Sequence, residues 1–557
     1  MRQASSALRP LTRLRALALL SVLALVLAAC GGGDKGGEGN SGQAQSGGTV
    51  VFAASSDPKG IDPALVSDGE SSRVTNQIFE GLVRTKSGSL EIEPALAESW
   101  TANGDGTEWT FKLRSGVRFH DGTPFNAEAV CFNFDRQYNF KGLLQNEALS
   151  YYWNTFFGGF SDKKKPSLYV SCSAPDETTA VIKLASASAS FIPAMSQFAF
   201  AIQSPKALQE FGADKVSGNE EAPKFNGTYA LEHPTGTGPM RFDSYKANDR
   251  VTLVRNDGYW GTKATVDRLI FRTISDNAAR RQALEAGEIQ GYDQVDPADL
   301  DALRSNFNVL ERPPLNLAYV GMNQSKPPLD NPKIRQAVAY ALNRDELLKA
   351  KYPPGAQVAK EFMPPDLPGY ADDVTQYTYD PAKARQLIAE SGVKNPTIEF
   401  WYPTNVSRPY MPDPAANFQA FRANLEAVGF KVIPKSAPWS PDYLSGYQSG
   451  AYQMYLIGWN ADFGDADNFL GVFFQEFRPE WGFRNQQIFD LLNQAEAETD
   501  TAKRSTLYQQ ANKAIMDFLP GVPYAHTSSY IAMAKNVQGL VPSPLSNENF
   551  AVLTSSQ

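Results

Sequence analysis

The chain has 557 residues, of which 42% are hydrophobic and 20% are charged, and its net charge is −8 with a pI near 5.3. This length exceeds what a single hydrophobic core supports, so we expect at least two structural lobes. Acidic and basic residues are interspersed, which is neither the basic footprint of a nucleic-acid-binding protein nor a polybasic membrane patch. The composition therefore argues against nucleic acid as a partner.

The first segment, 1–29, is predicted to be a signal peptide. Four arginines precede an apolar run at 16–27, and this run is shorter than the roughly 20 residues that a membrane-spanning helix needs. The run ends at Leu27-Ala28-Ala29-Cys30, which resembles a bacterial lipobox. In such a motif the Cys30 thiol accepts a lipid, and cleavage leaves this cysteine as the first mature residue. A simple secretory signal with a chance cysteine is the alternative.

The next segment, 30–48, is predicted to be a flexible tether between the lipid and the folded chain. It consists mainly of Gly, Ser and Gln with a few charges, so it cannot bury a core. No later segment has the pattern of a transmembrane helix. We therefore expect a protein outside the cytoplasm, anchored through Cys30 to the cell membrane on a periplasmic or outer face.

Two further cysteines, Cys131 and Cys172, remain once Cys30 is assigned to lipid. In an oxidising compartment they most simply form one disulfide. Two buried free thiols are the alternative. A metal site is disfavoured because neither a Cys-x-x-Cys motif nor paired histidines accompany them.

Beyond the tether, strand and helix patterns alternate along the chain. Short apolar runs bounded by turn residues predict strands, and apolar residues at three- and four-residue spacing predict helices. The rhythm of strand, helix and strand indicates a mixed α/β fold. In chain order, strands are predicted at 49–54, 109–113, 251–254, 269–271, 318–322, 397–401 and 454–457, and helices at 71–82, from 126, at 278–286 and at 331–349.

Several motifs then carry a resemblance to a known family. The chain resembles the large extracellular solute-binding proteins of peptide and nickel ABC importers, family 5, in its dipeptide-binding branch. The similarity runs in order from about Thr49 to the C-terminus. The motifs are Glu93–Trp100, Val117–Gly122, Gly236–Pro239, Arg255–Gly261 and Arg335–Val338.

The resemblance implies a clamshell of two α/β lobes that close around a ligand by hinge motion. Lobe one is expected to combine 49–315 with 522–557 and to include an inserted subdomain that carries both later cysteines. Lobe two is expected to span 316–521. The chain would cross between the lobes near Leu315 and return near Gly521.

A generic peptide site needs one acid and one base, because a free peptide has an ammonium at one end and a carboxylate at the other. Arg408 follows the predicted strand 397–401, and its guanidinium can grip a carboxylate with two parallel hydrogen bonds. Asp462 follows the predicted strand 454–457. Loops at strand ends face the ligand crevice in α/β folds. By position, both residues match those that bind the carboxylate and the α-amino group in the dipeptide-binding branch.

Four further residues are predicted to line the ligand. Trp459 is expected to form an aromatic wall beside the ammonium, and Tyr410 to offer a hydroxyl near the carboxylate. In the Ser67-Asp68-Gly69 loop, Ser67 and Gly69 align with a segment whose backbone bonds the ligand's main chain. Ordinary core packing of the two aromatic residues and a solvent-exposed turn at the loop are the alternatives.

No cofactor or protein-bound metal is expected. Asp465 and Asp467 follow Asp462 closely, but the segment lacks the regular spacing and glycine of an EF-hand loop. Three isolated histidines, His120, His233 and His526, are typical of core or surface positions. The sequence also lacks a G-x-S-x-G elbow and an H-E-x-x-H helix, so a secreted hydrolase is only a remote alternative.

These features together predict a monomeric binding protein without enzymatic activity. We expect it to capture short peptides, dipeptides in particular, and to deliver them to the permease and ATPase of an ABC importer. Other cargoes compatible with the same fold are oligopeptides, a metal chelate, haem or a sugar. An uncharged sugar would need neither Arg408 nor Asp462.

Overall fold

The computed structural model describes residues 47–219 and 222–556. The predicted signal peptide, Cys30 and most of the tether lie outside the described residues. Across the described ranges, no helix combines the length and the apolar character needed to cross a bilayer.

Lobe one is built on a seven-stranded mixed sheet. Thr49–Ala54 lies in its interior, parallel to both of its neighbours. Val50 and Phe52 belong to the core on one face, whereas Ala53 belongs to the core on the other, as the two-residue period of a strand requires. In spatial order the strands are Met240–Lys246, Arg250–Arg255, Arg268–Thr273, Thr49–Ala54, Gly291–Asp293, Ser529–Met533 and Asn308–Arg312.

Lobe two is built on a five-stranded sheet with a single large core. Met454–Asn460 pairs in parallel with Thr397–Thr404 on one side and antiparallel with Asn316–Met322 on the other. The carboxyl ends of the two parallel strands therefore lie at the same edge of the sheet. In spatial order the strands are Lys431–Pro438, Thr397–Thr404, Met454–Asn460, Asn316–Met322 and Gly521–Ala525.

The chain passes between the two sheets at 313–315 and at 526–528. Asn316 ties the two passages together, because its side chain donates to the Thr527 carbonyl (2.8 Å) and accepts from the Thr527 amide (3.1 Å). Gly521–Ala525 pairs within the lobe-two sheet. This strand therefore lies on the lobe-two side of the return, which begins at 526 and not near 521.

A subdomain inserted in lobe one has its own core and a four-stranded antiparallel sheet. Cys131, on the helix Ala127–Tyr138, is joined by a disulfide to Cys172 on the strand Tyr169–Asp176, with their Cα atoms 5.1 Å apart. The cross-link fastens the helix to an edge strand. In spatial order the strands are Ala97–Ala102, Glu108–Leu113, Thr179–Leu184 and Tyr169–Asp176.

The remaining described elements are helices and two-stranded ribbons. The α-helices before the first passage are Gly69–Ile78, Ala127–Tyr138, Tyr151–Phe156, Phe191–Ala194, Pro205–Glu210, Tyr229–Glu232, Asn277–Glu285 and Leu300–Asn306. Those of lobe two are Pro332–Ala341, Arg344–Lys351, Pro381–Ser391, Pro414–Val428, Leu444–Gln448, Asp467–Phe474, Gln486–Ala497 and Thr501–Phe518. The ribbons pair Val83–Thr85 with Ile92–Pro94, Val216–Gly218 with Pro223–Phe225, and Val537–Gln538 with Thr554–Ser555.

One predicted helix is divided in the structure. The segment predicted as a single helix at 331–349 forms Pro332–Ala341 and Arg344–Lys351. Leu342 is extended (φ −79°, ψ 115°), and the Asn343 side chain caps the second helix by accepting from the Glu346 amide. Asn is a strong N-cap residue, so it starts a new helix where hydrophobic spacing alone predicts continuity.

Candidate ligand-binding site

Asp462 lies just beyond the carboxyl end of the strand Met454–Asn460. Its backbone amide donates to Asn468 Oδ1 at 2.7 Å, and Asn468 Nδ2 donates to Asp462 Oδ2 at 3.4 Å. Asn468 belongs to the helix Asp467–Phe474, which packs into the lobe-two core. The buried Asn468 side chain thus holds both the backbone amide and the carboxylate of Asp462.

Within the described part of the chain, the Asp462 carboxyl group has no cationic partner. Among the residues that the structure describes, no Lys, Arg or His nitrogen lies within 4.0 Å of it. Burial raises the pKa of Asp462 to about 6, and the hydrogen bonds from Asn468 and Tyr152 offset only part of this rise. A partly buried carboxylate without a counter-ion is poised to accept a cation from a ligand.

Tyr152 contacts Asp462 from the opposite lobe. Its hydroxyl donates to Asp462 Oδ1 at 3.0 Å from the short helix Tyr151–Phe156 of the inserted subdomain. The neighbouring Phe463, although it belongs to the lobe-two chain, packs in the core of that subdomain, with its ring 6.4 Å from the ring of Phe156. Asp462 therefore lies where the two lobes meet.

Arg408 follows the strand Thr397–Thr404, the parallel neighbour of the strand that precedes Asp462. Reciprocal backbone hydrogen bonds with Met411, of 3.1 and 2.9 Å, close a tight turn around it. Because the carboxyl ends of parallel neighbours meet at one edge of a sheet, the base and the acid are brought to the same edge.

Among the residues of known placement, the Arg408 guanidinium also has no ionic partner. Its central carbon lies 4.4 Å from the centre of the Trp439 ring, a cation–π arrangement. Its Nε is buried without a hydrogen-bond partner, and no carboxylate within the described ranges lies within 4.0 Å of the group. A guanidinium stacked on one face and unpaired at its donors can receive a carboxylate.

The two predicted aromatic residues occupy different environments. Trp459 is half-buried, donates from Nε1 to Asn468 Oδ1 at 3.3 Å, and packs edge-on against Phe473. Tyr410 is only 4% exposed and lies against Gly458, where an added Cβ would be 2.4 Å from its ring. Burial raises the pKa of Tyr410 to about 12. Tyr410 is therefore a packed neighbour of Arg408, whereas Trp459 is partly open.

The loop predicted to contact the ligand's main chain precedes the helix Gly69–Ile78. Asp68 caps this helix by accepting from the Ser71 amide at 2.9 Å, and its other oxygen, Oδ2, is buried without a partner. Ser67 is half-buried and Gly69 is exposed. A Cβ added at Gly69 would meet nothing within 4 Å. The protein's own packing thus does not require glycine there.

The acidic residues that follow Asp462 are engaged within the protein. Asp465 accepts two hydrogen bonds from Arg504, of 2.6 and 2.8 Å. Asp467 lies close to Tyr508, with 3.5 Å between its Oδ1 and the tyrosine hydroxyl. Throughout residues 47–219 and 222–556, no group of three or more His, Cys, Asp or Glu side chains could hold a metal ion.

Three further residues at the site were not predicted from the sequence. Tyr152 and Asn468 reach Asp462 from other elements, and Trp439 reaches Arg408. A search for aromatic residues in the loops after strands would have found Trp439, which directly follows the strand Lys431–Pro438. The other two contacts depend on how the lobes and helices pack.

Comparison with known proteins identifies the family. The model of bacterial extracellular solute-binding proteins, family 5 (middle region), matches residues 91–480. This chain therefore belongs to the family 5 extracellular solute-binding proteins. The resemblance inferred from the sequence motifs is confirmed.

Individual relatives agree with this assignment over nearly the whole chain. The dipeptide-binding protein of Escherichia coli is 32% identical over 517 residues, covering 90% of this chain and 94% of the relative. Haem-binding protein A of Haemophilus influenzae is also 32% identical, over 97% of this chain and 98% of its own. The solved periplasmic binding protein DppA of Helicobacter pylori, in complex with the peptide STSA, superposes with a TM-score of 0.78 at 29% identity, covering 92% of this chain and 99% of that structure. The expected two-lobe fold is thus confirmed.

Proposed function

We propose that this chain is a lipid-anchored binding protein that captures short peptides, dipeptides in particular, by their charged termini and delivers them to an ABC importer. The observation that carries the proposal is the occurrence of Arg408 and Asp462 at the same edge of the lobe-two sheet. They carry opposite charges, follow parallel neighbouring strands and each lack an ionic partner within the described residues. The role is one of binding, without a catalysed reaction.

In this account Asp462 receives the ligand's ammonium and Arg408 its carboxylate. Trp459 stands beside the ammonium, and Ser67 and Gly69 approach the ligand's main chain. Tyr410 supports the turn around Arg408. Because an extended chain advances about 3.3–3.6 Å per residue, two fixed charges select ligand length. A side-chain pocket can then stay tolerant while the termini are read.

The names of the relatives point to two different classes of cargo. Proteins named for dipeptide binding and for haem binding are equally similar to this chain, at 32% identity. An arginine and an aspartate at one sheet edge suit a zwitterion better than haem, whose two carboxylates would face Asp462 with like charge. The charge pattern therefore favours the peptide.

The first experiment identifies the natural cargo. The mature protein is purified without added ligand, and the small molecules released on denaturation are identified by mass spectrometry. We expect a mixture of dipeptides of varied sequence. Haem, a metal chelate or a sugar as the released molecule would reject the peptide assignment while leaving the family intact.

The second experiment tests the two charges. Asp462→Asn and Arg408→Lys should each weaken dipeptide binding by about 2–5 kcal/mol in calorimetry, because a ligand charge is left unpaired in a desolvated cleft. Matched controls are Asp490→Asn and Arg422→Lys, both on helices of lobe two with local partners only. Unchanged affinity in both site variants would remove their assigned roles.

The anchor is part of the proposal as well. With the signal peptide at 1–29 and the tether at 30–48, lipidated Cys30 would keep the lobes near the permease and raise the local concentration of the complex. Mass spectrometry of the mature N-terminus should find a lipid on Cys30, and Cys30→Ser should release the protein from the membrane fraction. An unmodified N-terminus starting at another residue would contradict the anchor.

A further inference from the structure

Asn468 makes three contacts that converge on the candidate site. It is 1% exposed and lies in the first turn of the helix Asp467–Phe474. Its Oδ1 accepts from the Asp462 amide and from Trp459 Nε1, and its Nδ2 donates to Asp462 Oδ2. A single amide thus links the proposed ammonium acceptor to the aromatic residue beside it.

The orientation of this amide is fixed by its partners. Two donors, the Asp462 amide and the Trp459 indole, point at one atom of the group, and a carboxylate faces the other. Only a side chain with an acceptor and a donor side by side satisfies all three. Turning the amide over would place its hydrogens against two donors and its oxygen against a carboxylate.

The helix holds Asn468 firmly in place. Four apolar residues of the helix anchor it in the lobe-two core: Phe469, Leu470, Phe473 and Phe474. The backbone N–H of Asn468 donates to the Asp465 carbonyl. Asp465 is itself clamped by two hydrogen bonds from Arg504. The position of Asn468 is therefore set by the lobe-two core and does not depend on a ligand.

We propose that Asn468 is the positioning residue that holds the Asp462 carboxylate and the Trp459 ring as one unit to receive a ligand's ammonium group. The inference rests on the proposed function for its ligand. The structural part of the inference is that Asn468 holds the Asp462 carboxylate in position and lowers its pKa. This part rests only on contacts within the protein.

Tyrosines and carboxylates lie around Asp462, and the cation Arg478 lies within electrostatic range of Tyr151. Tyr151 and Tyr152 face Asp462 from the inserted subdomain, and Asp68 lies within electrostatic range of Tyr152. Asp465 lies three residues along the same loop and is paired with Arg504. None of them donates as the Asn468 amide does except the Tyr152 hydroxyl, so removing the Asn468 donor should raise the pKa of Asp462 further.

Two variants separate the acceptor and the donor of the amide. Asn468→Asp keeps an oxygen for the Asp462 amide and the Trp459 indole but replaces the donor with a like charge. Asn468→Ala removes all three contacts. Asn512→Ala is the control, because Asn512, on the helix Thr501–Phe518, is equally buried in lobe two but donates to the Gly369 carbonyl.

The test has one readout without ligand and one with the dipeptide Ala-Leu. Carboxyl carbon NMR of the ligand-free protein measures the titration midpoint of Asp462. This midpoint should lie at higher pH in both Asn468 variants, most in Asn468→Asp, and should be unchanged in Asn512→Ala. By calorimetry at pH 7.5, the affinity for Ala-Leu should fall about tenfold or more in both Asn468 variants, the scale of one lost charged hydrogen bond.

The outcomes distinguish this inference from the proposed function. An unmoved Asp462 midpoint together with wild-type affinity in both variants would overturn the positioning role. If wild-type protein fails to bind Ala-Leu while the Asp462 midpoint moves as expected, the proposed peptide cargo fails and the structural role of Asn468 stands. If Asn468→Ala does not fold, Asn468→Asp supplies both readouts.

Discussion

At the scale of residues, the proposed site has two charges that no described residue neutralises. Most charged groups in the described interior are paired; Arg73, for example, contacts both Glu70 and Asp293. Arg335 and Arg344, which have no ion pair among the described residues, donate to backbone carbonyls instead. Arg408 and Asp462 also lack an ion pair there, and Arg408 Nε has no hydrogen-bond partner. An unpaired charge in a partly buried position costs free energy unless a ligand completes it. The proposed binding of a zwitterionic ligand would supply both missing partners.

The sequence predicts these two residues but not their surroundings. Arg408 and Asp462 follow recognisable strands, so the α/β pattern places them in loops at strand ends. Tyr152 is 310 positions away from Asp462, and its contact arises only when the lobes pack. Likewise, Asn468 reaches Asp462 because a loop folds back on itself, which hydrophobic periodicity does not encode.

The raised pKa of Asp462 predicts a pH dependence of peptide binding. The ammonium requires the ionised carboxylate, and the pKa of Asp462 in the free protein is about 6. The affinity should therefore be constant near pH 7 and fall about tenfold per pH unit well below pH 6, as protons compete with the ligand. It should also decline above about pH 8, where a peptide's own amino group loses its proton.

Calorimetry of wild-type protein and Asp462→Asn between pH 4.5 and 7.5 checks this dependence. The variant should bind weakly and lack the acidic limb of the profile. A wild-type profile that is flat down to pH 5 would contradict the placement of the ammonium at Asp462.

At the scale of elements, periodicity identifies most strands and misplaces some ends. The strand predicted at 49–54 is Thr49–Ala54 in the structure, and that predicted at 109–113 is Glu108–Leu113. The helix predicted at 71–82 is Gly69–Ile78. It begins earlier because Asp68 caps it, and it ends earlier because Phe79 is extended. Local hydrogen bonding at the termini, rather than the apolar stripe, decides these limits.

The disulfide is the element-scale feature with the clearest energetic consequence. Cys131 and Cys172 close a loop with a sequence separation of 41, for which the chain-entropy model gives about 4 kcal/mol of stabilisation. The double variant Cys131→Ser, Cys172→Ser should lower the unfolding free energy of the inserted subdomain by about that amount.

Hydrogen exchange in the strand Tyr169–Asp176 and in the helix Ala127–Tyr138 measures this change locally. The lobe-two strand Met454–Asn460 is the internal control, because its exchange should be unaffected. Equal protection of the subdomain in both proteins would mean that its packing, without the cross-link, supplies its stability.

At the scale of the whole molecule, the lobes touch at a second place outside the charged site. Ser188 and Ser190 of the subdomain donate to the Glu496 carboxylate at 2.5 and 2.8 Å, and the Ala189 amide donates to the Glu496 carbonyl at 2.9 Å. Glu496 lies on the helix Gln486–Ala497 of lobe two. The resemblance predicted two lobes, but no sequence pattern marks these contacts.

This second contact should stabilise the arrangement in which the lobes meet. Glu496→Ala removes both serine contacts and should weaken ligand binding by about 1–3 kcal/mol without touching the ligand. Small-angle scattering should show a more open average in the variant. The matched control is Glu426→Ala, on the helix Pro414–Val428, where Glu426 pairs only with Arg422. Wild-type affinity and scattering in Glu496→Ala would mean that this contact has no part in closure.

The central claim is that both termini of a short peptide are read by charge, Asp462 at one end and Arg408 at the other. Calorimetry with a dipeptide, its N-acetyl form and its C-terminal amide tests the claim most directly. We predict strong binding of the free dipeptide and a loss of about 2–5 kcal/mol on blocking either end, since each block leaves one protein charge unpaired. Equal affinity for all three compounds would contradict the account.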